Sequence, residues 1–245
     1  MQGVNPTACI VLLSAAYLTS TISGFLGMAG GMSLLAVMTA VLPASQVVPV
    51  HGVVQLASNF TRTLVYLRYV YWTLFLVYAV PVVGGVTVAT LLWSGDELGW
   101  FRPGIGVFIL LFLIWQRRSP AIRNLPLWTY APLGLVVGFL AIFVGATGPF
   151  IAPFFLRDDF SKEQVIATKA VCIAWGHVLK IPAFLTLGFN FLAHWPLLGA
   201  LLVCVVIGTL TGRAILGRFS SKAFIMVYQT VLATIALYLI LSSAL

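Results

Sequence analysis

Acidic side chains are scarce in this sequence: its 245 residues include 5 Asp and Glu against 13 Lys and Arg, and charged residues make up only 7%. Hydrophobic residues make up 61%, and the mean hydropathy is +1.09. A chain of this composition has too little polar surface to cover a soluble globule. The sequence therefore predicts an integral membrane protein without a soluble domain.

The positions of the acidic residues matter as much as their number. Asp96 and Glu97 fall in one loop, and Asp158, Asp159 and Glu163 fall in another, so none lies in the middle of an apolar segment. Cation-coupled carriers and proton pumps usually place carboxylates inside the membrane. Their absence from the apolar segments argues against a cation substrate and against a carboxylate-based proton relay.

Cysteine is also rare, and Cys9, Cys172 and Cys204 lie far apart without the spacing of a metal site. We therefore expect buried small side chains, no metal and no cofactor. The net charge of +8 is spread between apolar segments. Enrichment of Lys and Arg in cytoplasmic loops explains this excess, so no nucleic-acid partner is expected. Because the first residues lack the features of a signal peptide, we interpret the first apolar segment as mature structure.

Apolar runs long enough for helical spans recur along the chain, and nothing resembles the alternating pattern of an outer-membrane barrel. The predicted fold is therefore all-α and polytopic. The first half contains segments A (Thr7 to Leu26), B (to Leu42), C (Ser45 to about Leu67), D (Tyr71 to Trp93) and E (Phe101 to Gln116).

Two glycine-rich breaks stand out. Gly27 and Gly30 separate A from B, and Gly145 and Gly148 precede a short segment, B′, from Thr147 to Leu156. At about 1.5 Å per residue, B′ reaches only about 15 Å, half of a hydrocarbon core. We interpret these segments as broken helices or hairpins whose glycine tips reach inward, with close helix packing through small residues as the alternative.

The segment after B′ concentrates basic and titratable side chains. Ser161 followed by Gln164 predicts a capping box and a helix from Ser161 through Lys180, ending before Pro182. Lys169, His177 and Lys180 share one face of this helix. Segment C carries a comparable face, made of His51, Gln55, Ser58, Asn59 and Arg62.

Each of these side chains also has an ordinary structural interpretation. His51 and His177 are equally well explained as helix-packing residues. Arg62 and Lys180 lie near the predicted helix ends and are expected to be interfacial anchors. Lys169 is too deep in its helix for easy snorkelling, which favours a ligand or an ion-pair role. Trp175 lies between Lys169 and His177 and either lines a pathway or fills space.

The second half of the chain resembles the first. At a spacing of 118 residues, five positions match: Gly27 with Gly145, Gly30 with Gly148, His51 with Lys169, Asn59 with His177 and Arg62 with Lys180. Further along the chain the spacing increases by five residues, and Trp72 matches Trp195 and Gly85 matches Gly208. This predicts two transmembrane repeats, residues 1–116 and 127–245, joined by a polar cytoplasmic linker at 117–126.

Charge placement separates two arrangements of these repeats. Inverted repeats collect ten of the 13 Lys and Arg residues on one side of the membrane, whereas parallel repeats divide the loop charges almost evenly. The positive-inside rule favours the inverted arrangement. The expected topology therefore has the charge-rich side in the cytoplasm and both termini in the periplasm.

Five motifs carry a resemblance to a known family: GFLGMAGG at 24–31, HGVVQLASNFTR at 51–62, GATGPFIAPFF at 145–155, TKAVCIAWGHVLK at 168–180 and TGRAILGRFSSKAF at 211–224. Together they resemble the sulfite exporter TauE/SafE family of membrane permeases over nearly the whole chain. The resemblance implies transport of small sulfur-containing or organic anions, such as sulfite, sulfoacetate and related sulfonates, across the bacterial inner membrane.

The functional hypothesis is a secondary anion transporter, with export as the expected direction. Lys169 would hold an oxyanion, and the remaining predicted binding residues are His51, Gln55, Asn59, Trp175, His177 and the backbone near Gly27, Gly30, Gly145 and Gly148. Two halves rocking about this site would alternate access, and either histidine can carry a coupled proton. The expected partners are the anion and the lipid bilayer.

Three other functions stay open: an anion channel, a non-transporting scaffold subunit, and an intramembrane enzyme using Cys172 or His177. The sequence does not distinguish a monomer from a homo-oligomer.

Overall fold

A computed structural model describes residues 5–26, 30–93, 101–118, 125–155, 157–214, 230, 233–234 and 236–241, and every regular element in these ranges is helical. The predicted all-α fold is thus confirmed. The α-helices are α1 (Pro6–Leu26), α2 (Gly30–Val41), α3 (Ala44–Val65), α4 (Trp72–Leu91), α5 (Phe101–Arg118), α6 (Tyr130–Val144), α7 (Gly148–Phe155), α8 (Lys162–Thr186) and α9 (Trp195–Ala214), with residues 236–241 also helical.

Five helical stretches are long and apolar enough to cross a membrane: Pro6–Gly24, Trp72–Leu91, Leu127–Val144, Lys162–Thr186 and Phe191–Ala214. The chain is therefore a multi-pass membrane protein. At 22 residues, α3 is as long as these spans, but its polar side chains lower its hydropathy. Such a helix is stable inside a membrane only if other helices cover its polar face.

The second glycine break is confirmed. In the first half, α1 is described up to Leu26 and α2 from Gly30, so the break predicted at Gly27 lies outside the described residues. In the second half, Gly145 ends α6 with a φ of +85°, which a side chain would strain, and α7 begins at Gly148. The helix α7 has 8 residues and spans only about 12 Å at about 1.5 Å per residue, so it does not cross the membrane alone.

The beginning of α8 follows the sequence prediction, but its end does not. The Gln164 amide donates to Ser161 Oγ over 3.2 Å, and the Ser161 amide donates to Gln164 Oε1 over 2.9 Å, which completes the capping box. The prediction that the helix ends before Pro182 was wrong, because α8 continues to Thr186. Proline removes one backbone hydrogen bond, and neighbouring helices make this tolerable in membrane spans; α3 and α4 likewise contain Pro49 and Pro81.

The centre of the bundle is the antiparallel pair of α3 and α8. The helix α9 packs against α3 and α4 packs against α8, while α1 lies along α9 and α6 lies along α4. The two outer pairs cover both sides of the central pair. This arrangement hides the polar faces of α3 and α8 from lipid.

Glycines allow the outer pairs to approach closely. A Cβ at Gly208 would lie 2.5 Å from the carbonyl oxygen of Tyr17 in α1, and a Cβ at Gly85 would clash with the carbonyl oxygen of Leu135 in α6. Tyr17 and Leu135 are 118 residues apart, the spacing that relates the predicted repeats. The repeats and their inverted orientation remain predictions. If the two halves share one fold, matched contacts of this kind are expected.

The loop before α8 is fastened to the segment before α6. Arg157 donates to both carboxylate oxygens of Asp159, over 2.8 and 2.7 Å, and to the carbonyl of Leu125 over 2.6 Å. This hydrogen-bonded pairing lowers the pKa of Asp159 and raises that of Arg157. The start of α8 is thereby held beside the start of the second half.

Candidate functional site

The polar faces of α3 and α8 are buried against each other. His51 is 0% exposed, Lys169 is 2% exposed and His177 is 4% exposed. Because the two helices run in opposite directions, His51 lies opposite His177 at one end of the shared face, and Arg62 lies near Lys169 at the other. The predicted polar faces of α3 and α8 are therefore confirmed, and together they form one continuous buried surface.

The prediction that Arg62 and Lys180 are interfacial anchors was wrong. Arg62 is 3% exposed and Lys180 is 1% exposed. Lys180 lies inside the span because α8 continues past Pro182. Arg62 is covered by α1, whose Ser23 hydroxyl accepts a hydrogen bond from its guanidinium over 2.8 Å. Both cations thus belong to the buried face.

One group of residues, which we call the histidine cluster, comprises His51, His177 and Lys180. The two imidazole rings meet edge to face, with centroids 5.9 Å apart. His51 Nε2 donates to the Gly31 carbonyl over 2.8 Å, and Lys180 Nζ donates to the Gly145 carbonyl over 2.5 Å. In the part of the chain that the structure describes, Nδ1 of both histidines is buried without a hydrogen-bond partner.

The second group, which we call the arginine cluster, comprises Asn59, Arg62 and Lys169. Arg62 Nη1 donates to Asn59 Oδ1 over 3.1 Å, while Arg62 Nε is buried without a partner among the described residues. The Lys169 ammonium is close enough to Arg62 for their positive charges to repel each other. Within the same residues, no hydrogen bond or ion pair compensates Lys169.

Gln55 lies between the two clusters. It is 4% exposed, one turn from His51 and one turn from Asn59. Its side-chain oxygen is beside Gly31, where an added Cβ would lie 3.1 Å away, and its backbone carbonyl accepts from Asn59 Nδ2 over 2.8 Å. Gln55 is thus the polar side chain that connects the clusters along α3.

The structure does not bring Lys169 and His177 to one point. They are eight positions apart on α8, a rise of about 12 Å at about 1.5 Å per residue. Helical side chains lean toward the N-terminus, so the Lys169 ammonium points away from His177. The predicted binding residues therefore divide between the two clusters instead of surrounding a single small anion.

The glycine breaks meet the histidine cluster through carbonyl groups, those of Gly31 and Gly145. Gly30 packs against the backbone of Thr19, where a Cβ would clash, and a Cβ at Gly148 would lie 3.1 Å from the Ile173 side chain. Both glycines therefore serve close packing. Gly27 lies outside the described residues, and amide contacts between the breaks and an anion stay a prediction.

Trp175 faces a different neighbour. Its indole N–H donates to the Ala79 carbonyl in α4 over 2.9 Å, and its ring meets Phe75 edge to face. These contacts attach α8 to α4 and give the indole a structural function. They favour the space-filling interpretation over a position in a pathway.

Replacing Trp175 with phenylalanine tests this interpretation. We expect a loss of about 0.5–1.5 kcal/mol of stability, because one hydrogen bond disappears while most of the ring remains. Thermal unfolding in detergent measures this loss, and anion affinity should be unchanged. A variant of unchanged stability that no longer binds anions would instead put Trp175 in the substrate pathway.

A groove of about 310 Å³ lies between α4 and α8, but it contains none of the cluster residues. Leu91, which is 79% exposed, forms part of its wall. Its lining is mainly apolar and includes no charged side chain: Val83, Val86, Thr87, Thr90, Leu91, Leu179, Pro182, Ala183 and Thr186. A groove of this kind suits lipid chains better than an anion.

The charge balance of the α3–α8 face is one-sided. Arg62, Lys169 and Lys180 are buried. The ion pair within the described residues is formed by Arg157 and Asp159, which lie in the loop before α8 and not on this face. Burying a cation without a counterion is costly. Within those residues, no group of three or more His, Cys, Asp or Glu side chains could hold a metal ion. The face is therefore suited to receive negative charge.

In a comparison with protein families, the model described as Sulfite exporter TauE/SafE matches residues 12–239. No curated protein matches the chain, and no solved structure does so either. The match covers α2 to α9 completely and most of α1, and therefore includes both clusters.

Proposed function

We propose that this chain, which belongs to the sulfite exporter TauE/SafE family, is a secondary transporter that carries a small oxyanion through the buried face between α3 and α8. The family is one of membrane transporters for sulfite and similar anions. Sulfite or a small sulfonate is the substrate class that we propose for this chain, with export from the cytoplasm across a bacterial inner membrane as the direction.

The observation that carries this proposal is the burial of Arg62, Lys169 and Lys180, with no carboxylate of the described residues paired to them. An anion that enters the face supplies the missing negative charge, and charge-assisted hydrogen bonds in such a buried site are short and strong. Because these groups are nearly inaccessible in this conformation, the face must open for an anion to enter. This requirement favours a gated carrier over an open channel.

Ligand-dependent stability provides the first test. A ligand that binds only the folded state at about 100 times its Kd adds about 2.7 kcal/mol of stability. We expect sulfite or methanesulfonate to raise the melting temperature of the detergent-purified protein by several degrees relative to chloride at matched ionic strength. Lys169→Ala should reduce this shift strongly, whereas Lys162→Ala, which removes an exposed charge from the same helix, should retain it.

Two results would contradict the proposal. If no anion on a broad panel shifts the melting temperature, the buried face does not bind anions. If Lys169→Ala responds like the wild-type protein, Lys169 is not a ligand. Proteoliposome flux then separates the transport modes, because saturation and counterflow indicate a carrier, and a channel shows no counterflow. A scaffold subunit would show no flux.

A further inference from the structure

We infer that the α3–α8 face holds two separate anion-binding stations, the histidine cluster and the arginine cluster, which the internal repeat relates to each other. The inference rests on the proposed anion transport and specifies how the substrate is bound. It replaces one site at the centre of the face with two sites along it.

The first argument is the exchange of residues between the clusters. His51 and Lys169 are 118 residues apart, and so are Arg62 and Lys180. In the structure the Lys180 side chain packs against Gly52, next to His51, and Arg62 lies near Lys169. Each pair consists of one residue of α3 and one residue of α8. Adding 118 to the number of the α3 residue and subtracting 118 from that of the α8 residue turns one pair into the other. A duplicated chain that builds one such pair therefore builds two.

The second argument is that each cluster has buried polar atoms with nothing to bind. Among the described residues, these atoms are Nδ1 of His51 and Nδ1 of His177 in the histidine cluster, and Nε of Arg62 in the arginine cluster. Buried polar atoms in native structures nearly always have partners. Unpartnered atoms at both ends of the face therefore indicate two places where a ligand is missing.

The chemistry of the two stations differs. Because His51 Nε2 donates to the Gly31 carbonyl, its Nδ1 accepts a hydrogen bond when the ring is neutral and donates one when the ring is protonated. This station therefore suits an anion that arrives with a proton, either on the ring or on the anion. The arginine cluster supplies only donors from its cations and suits a fully ionised oxyanion.

The third argument is distance. Lys169 and Lys180 are 11 positions apart on α8, about 16 Å at about 1.5 Å per residue. Both side chains lean toward the same end of the helix, so their ammonium groups keep a similar separation. A small oxyanion does not span this distance, and two anions can occupy the face at once. Gln55 lies between the stations as an intermediate polar contact.

Binding stoichiometry tests the inference. Equilibrium dialysis of the detergent-purified full chain against radiolabelled sulfite, without oxygen, should give two anions per chain at saturation. Lys169→Met and Lys180→Met should each bind one, and the double variant none. Lys162→Met is the matched control, since it removes an exposed charge from α8, and it should bind two. Lys169→Arg and Lys180→Arg, which retain the charge, should each bind two and show that loss in the methionine variants is not misfolding.

The possible failures are distinguishable. One sulfite per wild-type chain, abolished by either methionine substitution, would overturn the two stations and leave the proposed function standing with a single shared site. One sulfite per chain, abolished by only one of the substitutions, would likewise leave a single station. Absence of binding by sulfite and by methanesulfonate would overturn both the inference and the proposed function.

Discussion

Replacing Lys169 with methionine should raise the melting temperature of the anion-free protein and at the same time abolish transport. Lys169 is 2% exposed, has no compensating partner among the described residues and is repelled by Arg62. Methionine fills a similar volume without a polar head group. Replacing a buried ion pair with well-packed apolar side chains is often neutral or stabilising by about 1–4 kcal/mol. We expect a gain within this range for a buried lysine that has no counterion among the described residues.

The expected effect is large enough to measure. For a chain of this length, 1 kcal/mol changes the melting temperature by about 2–4 °C. Lys162→Met is the control, because Lys162 is exposed and its replacement should leave the melting temperature nearly unchanged. A lower melting temperature for Lys169→Met would mean that the ammonium group makes a stabilising interaction in the free protein, and the argument from missing negative charge would then fail.

Replacing Gly85 with alanine should destabilise the protein far more than the same change at its neighbour. A Cβ at Gly85 would clash with the carbonyl oxygen of Leu135 and lie 2.7 Å from the amide nitrogen of Phe139, and backbone atoms cannot rotate away. The helices α4 and α6 would have to separate. Forced separation in a packed interior typically costs about 1–3 kcal/mol, occasionally more.

Gly84 provides the matched control. A Cβ there would lie 3.5 Å from the Leu135 side chain, which is an ordinary van der Waals contact. Gly84→Ala should therefore melt close to the wild-type temperature, while Gly85→Ala melts several degrees lower. Equal melting temperatures for the two variants would show that α4 and α6 are not in the close contact that the structure describes.

The sequence predicted the helical fold because its signals are local. Hydropathy located α1, α3 and α4 to within a few residues, and the Ser161 capping box located the start of α8. The polar faces followed from helical periodicity alone. The break at Gly145 was visible because clustered glycines between two apolar runs are a strong local signal for interrupting a helix.

The sequence did not predict how the faces meet, because this depends on contacts between distant segments. The burial of Arg62 requires Ser23 from α1, and the burial of Lys180 requires that α8 continue through Pro182. Both residues were already on the predicted faces and matched each other at the repeat spacing. The anchor prediction failed because a position near a predicted helix end need not lie at the membrane surface.

The packing of α1 along α9 and of α4 along α6 also affects how the protein is made. During synthesis α1 leaves the ribosome long before α9, since most of the described chain separates the two helices. Until α9 is inserted, α1 and the buried face of α3 lack their cover. We therefore expect that residues 1–116 do not fold stably without the residues that follow them, and that the growing chain is stable only when α9 has been inserted.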